Sequence, residues 1–422
     1  MYGEFKMKRV LSLLVVLIMV ASLAACAGNS GGQSSDITLS FLRLGNDEGE
    51  RVFWSEVIAS YEAANPGIKI EYDEAAIGDD MDVKLTSLFA ANDGPDIIGH
   101  GIMSIASRVE AGHYTNISGY YNSWEDKDDI FPQLIHLGTY NSQVYGIAYQ
   151  PTPYVFAYRK DLLEEAGFSG PPKTWTELAE YARALTVTEN GRITQAGFAF
   201  PAAAGNFVEY DVFAYGNGGG FTTPDGNPTL DTPENLEALA FIAGLIGDVS
   251  LEFNANETNP FMTGNAAMTL IDNIRLAPMF DVDEYKDKIG IALPPSNGGK
   301  RQMTFSGCRL LFIGKDCKNR QAAFDFITYA VSPEIVEKRF RDLNVPVVRA
   351  SLVDAFANAD PLNAVRADLV ANGVGMPITT WSSMFQRVRN EAVQRVLAGD
   401  NPAAVLSEAQ AKLEQEITDA AN

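Results

Sequence analysis

From Asp36 onward, short runs of β-branched and aromatic residues alternate with amphipathic helical runs. That alternation restricts the chain to an α/β fold with mostly parallel sheets. Ile37–Leu42 predicts a strand, Phe53–Ala64 a helix stopped by Asn65-Pro66-Gly67, and Ile68–Tyr72 a second strand. Val83–Ala91 predicts the next helix, and the turn Asp93-Gly94-Pro95 leads into a strand at Asp96–Ile98. Later helix starts are equally plain. Thr174-x-x-Glu177 is a capping box, and Thr232-Pro233-Glu234 and Ser332-Pro333-Glu334 each supply a cap, a first-position proline and a first-turn acid.

The first 35 residues read differently. Lys6, Lys8 and Arg9 precede the apolar run Val10–Leu23, which ends in small residues before Cys26. A short apolar segment of this kind is a secretory signal, residues 1–25, rather than a structural helix. Leu23-Ala24-Ala25-Cys26 resembles the lipobox of bacterial lipoproteins, which implies cleavage before Cys26 and lipid on its sulfur. Residues 26–35, small, polar and uncharged, then form a flexible tether with a reach of ~15–18 Å. The alternative is a membrane-spanning anchor over Val10–Gly28. The lipoprotein reading places the body outside the cytoplasm, held to the cell membrane.

Removing residues 1–25 takes away Lys6, Lys8, Arg9 and Glu4, so 29 basic side chains face 53 acidic ones, a balance of −24. Such a surface repels nucleic acid and does not dock directly on anionic lipid. Cys308 and Cys317 flank a strand-like run, Arg309–Gly314. The nine residue steps from Cys308 to Cys317, if extended, span about 30 Å, too far for a disulfide, so both are expected as free, packed thiols.

Several segments together resemble the extracellular solute-binding proteins of bacterial ABC importers, specifically the family-1 sugar-binding lipoproteins. They are Phe53–Tyr72, Leu85–Ile98, Val144–Tyr149, Ala157–Leu185 with its Pro172-Lys173-Thr174-Trp175, Asn217–Ile242, Phe261–Leu270, and Lys318–Phe340 followed by Val396–Gly399. The resemblance implies a two-lobed, periplasmic-binding-protein-like α/β fold (type II) with a hinge of two to three crossover strands. Carried onto this chain, the crossings fall near Tyr149–Tyr154, Ile289–Pro295 and Ser332–Arg341. Lobe one is then 36–150 with 292–333, and lobe two 151–291 with 334–422. The implied partners are a carbohydrate ligand held between the lobes and the permease subunits of the importer, with the bilayer reached through Cys26. No cofactor, metal or nucleic acid is expected, and the protein is expected to act as a monomer.

Ligands of open α/β sheets sit beyond the carboxyl ends of strands. That rule and the family's contact positions nominate Arg43, Asn46 and Glu48 after the first strand, and His100 after the third. The hinge offers Gln150, Thr152 and Tyr154; the second lobe offers Glu209, Tyr210, Asp211, Asp272, Asn273 and Arg275; Arg309 and Trp381 complete the set. Tyr154, Tyr210 and Trp381 are candidates for covering apolar sugar faces, and Asn46, Gln150, Asp211 and Asn273 for holding hydroxyls. Trp175, Tyr158 and Tyr145 are expected in the core. Many relatives carry a stacking tryptophan where this chain has Asp272-Asn273-Ile274, so a standard maltose-like oligosaccharide is in question. Arg43, Arg275 and Arg309 suit a carboxylate or phosphate, hence an acidic sugar, unless Asp47, Glu48 or Asp272 pair with them.

Enzyme chemistry finds little support. His100, His113 and His136 are scattered, and there is no His-x-x-x-His or Cys-x-x-Cys. Asp79-Asp80-x-Asp82 lacks the glycine and alternation of a calcium loop. With 53 acids, chance carboxylate pairs are certain, so a secreted carbohydrate-active hydrolase or lyase stays open, as does a receptor for a non-sugar solute. A surface adhesin with no cleft is a third class, against which the prolines Pro151 and Pro153 of the hinge-like segment argue.

Overall fold

A computed structural model describes residues 36–421 other than 46, 76–78, 204, 224 and 255–256. The signal segment, Cys26 and the tether therefore lie outside the described residues, as does Asn46.

The first elements follow the sequence pattern. Strand β1 (Ile37–Leu44), helix α1 (Glu48–Ala64), β2 (Ile68–Ala75), α2 (Asp79–Ala90) and β3 (Ile97–Gly101) build a parallel sheet with β1 between β2 and β3. Asp47 caps α1 by accepting from the Glu50 N–H at 2.8 Å. The helix then buries Phe53, Trp54, Val57, Ile58 and Tyr61 as one stripe, with Trp54 edge-on to Phe41 of β1 at 5.0 Å. Each such side chain removed from water contributes roughly 1.5–3 kcal/mol.

The decisive element is β4 (Gly146–Arg159), whose 14 residues span about 45 Å. Its first half runs antiparallel to β7 (Thr304–Ile313) up to Pro153. From Tyr154 its second half pairs with β5 (Met268–Asp272) on one side and β6 (Ile289–Ala292) on the other. Pro151 and Pro153 bring no backbone donor, and they fall where the strand exchanges one set of partners for the next. One ladder thus joins two sheets, in the order β6–β4–β7–β3–β1–β2, with β5 also on β4 and β8 (Gly373–Val374) also on β7. A register shift opposite Arg309 and Leu310 leaves Tyr149 as an extra residue, a bulge that re-aims its neighbours.

Helices α3 (Trp175–Leu185), α4 (Val208–Gly216) and α5 (Pro233–Val249) share one aromatic cluster of Trp175, Phe213 and Phe241. The expected capping box is present at Thr174 and Glu177, and Trp175 is core, stacked on Phe241 at 4.6 Å. Tyr145 and Tyr158 pack against the core as expected. The first lobe also carries α6 (Arg320–Ala330), whose Phe326 meets Tyr61 at 5.1 Å. Cys308 and Cys317 are buried and unpaired, and burial pushes both thiols up to about 12.

The third crossing falls later than expected. Helix α7 (Pro333–Leu343), assigned from sequence to the second lobe, packs on α1 of the first. Its Arg339 pairs with Glu50 at 2.8 Å and Lys338 with Glu56 at 2.7 Å. Arg349 then reaches Asp129 at 2.8 Å. Only with α8 (Pro361–Ala371) does the chain join the second core, where Leu369 lies with Val155, Ile289 and Ile291. The last helices, α9 (Ser382–Leu397) and α10 (Pro402–Ala421), pack on α5 in the second lobe.

Candidate functional site

The two lobes meet where β4 changes partners, and a polar floor forms there. Thr152 and Tyr154 are half-buried on the shared strand. Tyr154 stands opposite Asp272 in the ladder, with its ring edge-on to Phe305 at 5.9 Å. Its backbone is fixed too, because its carbonyl accepts from Thr304 Oγ1 at 2.6 Å. Asp272 closes β5 and accepts from the N–H groups of Ile274 (2.7 Å) and Arg275 (3.3 Å). Burial raises its carboxyl above the ordinary range.

Burial also lifts the Tyr154 phenol well above its ordinary value, helped by Glu209, Asp272 and Asp211, while Arg275 pulls the other way. Glu209, in the first turn of α4, is nearly buried. Loss of water pushes its carboxyl up to about 7, against the pull of Arg389 and Arg275. The loop before α4 is clamped by α9. Gln386 and Arg389 donate to Asn206 Oδ1 at 2.6 and 2.8 Å, and Arg389 to the Phe207 carbonyl at 3.2 Å. On the first-lobe side, Arg309 lies in β7 opposite Gln150 and Gly101 and donates to Gln150 Oε1 at 3.5 Å.

Of the nominated residues, Thr152, Tyr154, Asp272, Arg275 and Arg309 keep open surface at this junction. Arg43, Glu48, Gln150, Tyr210, Asp211, Asn273 and Trp381 do not face it freely. Arg43 is fully buried, held by Glu74 at 2.5 Å and by the Tyr72 hydroxyl at 2.7 Å, with Asp47 and Glu50 each at 3.7 Å. Glu48 is an exposed first-turn acid of α1 paired with Arg51. Gln150 is fully buried and donates to Glu50 at 2.8 Å. Tyr210 is core, its hydroxyl donating to the Asn235 carbonyl at 3.2 Å. Asp211 is a buried partner of Arg389. Asn273 is buried between Arg366, which donates to it at 3.0 Å, and the Asn344 carbonyl at 3.4 Å. Trp381 is buried edge-on to Phe385 at 6.3 Å. In each case the polar or aromatic type was right for a ligand, but a protein partner takes it up.

His100 belongs to a second cluster. Its Nδ1 lies 2.7 Å from Ser104 Oγ and its Nε2 3.8 Å from Asp82 Oδ1, a nucleophile–base–acid order. Ser104 is buried, however, and the Asp82 carboxylate is gripped by both Nε and Nη2 of Arg108. Burial lowers the His100 pKa. The cluster ties α2 to the start of the helix after β3. Among the described residues, no group of acids, histidines and cysteines is arranged to hold a metal, and no helix is long and apolar enough to cross a membrane.

The residues that sequence reasoning missed are Glu50, Arg339 and Arg389. Glu50 and Arg339 lie 289 positions apart, and nothing in local spacing announces such a pair.

The family model for bacterial extracellular solute-binding proteins matches residues 46–337. The chain belongs to that family. Among its relatives is a Deinococcus radiodurans protein named "probable ABC transporter-binding protein", 26% identical over 311 residues, 70% of each chain. Among solved structures, an ABC transporter solute-binding protein from Thermotoga lettingae, bound with α-D-tagatose, superposes with a TM-score of 0.79 at 23% identity, covering 90% of this chain and 99% of that one. The sugar-binding protein of Xanthomonas citri superposes with a TM-score of 0.80 at 20% identity, covering 90% and 98%. The solute-binding protein thus has the two-lobed fold, with β4 running through both lobes. Its family works outside the cytoplasm with ABC transporters, and its members bind substrates rather than transform them.

Proposed function

We propose that this solute-binding protein captures a carbohydrate between its lobes and delivers it to the permease of an ABC importer. The observation that carries the reading is the floor at the β4 partner exchange. Tyr154 offers an aromatic face, Thr152 and Asp272 offer hydrogen-bonding groups, and Arg275 and Arg309 offer cationic donors. A few fixed polar groups around an aromatic suit a polyhydroxylated ring. The sugars bound by structural neighbours support the same class of ligand. A ligand touching both lobes binds the closed form better, and that differential affinity drives closure. We assign the first lobe to residues 36–153 with 304–350, and the second to 154–292 with 361–421. The chain acts as a monomer, tethered through lipid on Cys26.

Thermal melting and small-angle scattering of the mature protein against a panel of mono- and oligosaccharides test this reading. A bound sugar raises the melting temperature and reduces the radius of gyration; a panel without effect on either overturns it, and turnover of any sugar favours the hydrolase or lyase alternative. Replacing Cys26 by Ser moves the protein from the membrane fraction to the soluble fraction if the lipid anchor is correct.

A further inference from the structure

Nearly every buried arginine of this protein has a carboxylate in contact. Arg43 has Glu74, Arg108 has Asp82, Arg159 has Asp161, Arg339 has Glu50, Arg349 has Asp129 and Arg389 has Asp211. Arg366 has no carboxylate within 4 Å among the described residues but is provided with amide oxygens, Asn363 at 2.6 Å and Asn273 at 3.0 Å. Arg309 is different. It is half-buried at the lobe junction, has no carboxylate within 4 Å among the described residues, and makes a single long bond of 3.5 Å to Gln150 Oε1.

Its surroundings explain how that arrangement is held. Gln150 spends its Nε2 on Glu50, which turns its oxygen toward Arg309. Glu50 is itself held by Arg339 at 2.8 and 3.0 Å. Across the junction the acid that Arg309 influences is Asp272, whose Oδ1 is committed to two backbone N–H groups. The guanidinium is therefore oriented by one lobe and left short of acceptors toward the other. A guanidinium withdrawn from water without a counterion is costly, and closing the lobes increases that cost unless the ligand supplies the missing charge. Arginine's planar fork fits a carboxylate or a phosphate through two parallel bonds.

We infer that Arg309 is the anion-recognising residue of the cleft and that the ligand is an acidic carbohydrate, bearing a carboxylate or a phosphate. This rests on the carbohydrate reading above. Gln150 and Glu50 are positioning residues that aim the fork. Once the anion is seated, Arg309 bridges the ligand to the first lobe while Tyr154 and Asp272 contact it from the second.

Isothermal titration of the mature protein with digalacturonate, galactobiose, glucose 6-phosphate and glucose separates the possibilities. The carboxylate arm and the phosphate arm each have a neutral counterpart. One acidic probe is expected to bind at least tenfold more tightly than its counterpart, with added salt weakening it. Arg309→Gln should weaken the acidic probe about a hundredfold, and Arg309→Lys should restore part of that loss, with little change in melting temperature for either variant. The inference is overturned if neutral saccharides bind and neither acidic probe does, or if Arg309→Gln leaves acidic binding unchanged. If no saccharide of any charge binds, the carbohydrate reading fails first and this inference falls with it.

Discussion

Gln150 of the shared strand donates to Glu50 of the first helix at 2.8 Å, and neither side chain reaches solvent. The bulge at Tyr149 sets up this contact, because the extra residue turns the strand just before Gln150. The same carboxylate takes Arg339, whose guanidinium lies over Phe53 at 4.0 Å and Tyr149 at 4.9 Å. One buried acid thus anchors the strand that both lobes share to the first lobe's helices.

Glu50→Gln keeps the shape but removes the charge that compensates Arg339 and faces Arg43. Leaving a buried cation uncompensated costs about 3–5 kcal/mol, so the midpoint of urea unfolding should fall sharply. Equal stability of Glu50→Gln and the wild type would show that Arg43 and Arg339 find other compensation.

Local signals made the fold legible. The stop at Asn65-Pro66-Gly67, the caps at Thr174 and Thr232, and the apolar stripe of α1 each depend on neighbours a few positions away. The site was legible only in part. Position at a strand end and polar type nominated Tyr154, Asp272 and Arg309, which keep open surface at the junction, yet they also nominated Arg43, Gln150 and Tyr210, which are buried. Those three are taken up by Glu74, Glu50 and Asn235, partners that are close only after folding. The late third crossing has the same origin. Ser332-Pro333-Glu334 announces a helix, but the lobe it packs on is decided by the distant pair Arg339–Glu50.

The Asp211–Arg389 pair holds the loop before α4 through the Asn206 and Phe207 contacts. Arg389→Met strands Asp211 in the core and should cost about 3–5 kcal/mol. Adding Asp211→Leu removes the orphaned acid, and the double variant should regain much of the stability without restoring the loop clamp. Chemical denaturation of the four-member cycle measures both effects. A double variant no more stable than Arg389→Met would contradict the account.

Glu209 provides a pH signature. Burial raises its folded-state pKa from 4.5 to about 7, so the folded state holds the proton more tightly than the unfolded chain. The stability this confers is fully present below about 4.5 and is lost as pH rises through about 7, a change of roughly 3 kcal/mol at most. Other carboxyls, such as Glu74 and Asp161, are held low and act oppositely. The comparison of interest is therefore wild type against Glu209→Gln. The difference in unfolding free energy between them should change between about pH 4.5 and 7, and a difference constant with pH would rule out the raised carboxyl.

Two glycines separate backbone crowding from side-chain crowding. A Cβ on Gly197 would lie 1.8 Å from the Ala182 carbonyl oxygen, part of helix α3, so the helix end itself must move. Gly197→Ala should cost at least the ~1–3 kcal/mol usual for overpacking, read as a lower urea midpoint. A Cβ on Gly307 meets Thr152 Oγ1 at 2.5 Å, the end of a side chain that can rotate, and the next nearest atom is 3.4 Å away. Gly307→Ala should therefore leave stability within about 1 kcal/mol while turning the Thr152 hydroxyl away from its present place at the junction. If Thr152 contacts the ligand, Gly307→Ala weakens binding several-fold, and in a Thr152→Val background the same glycine substitution has no further effect on affinity. Unchanged affinity in both single variants removes Thr152 from the binding surface.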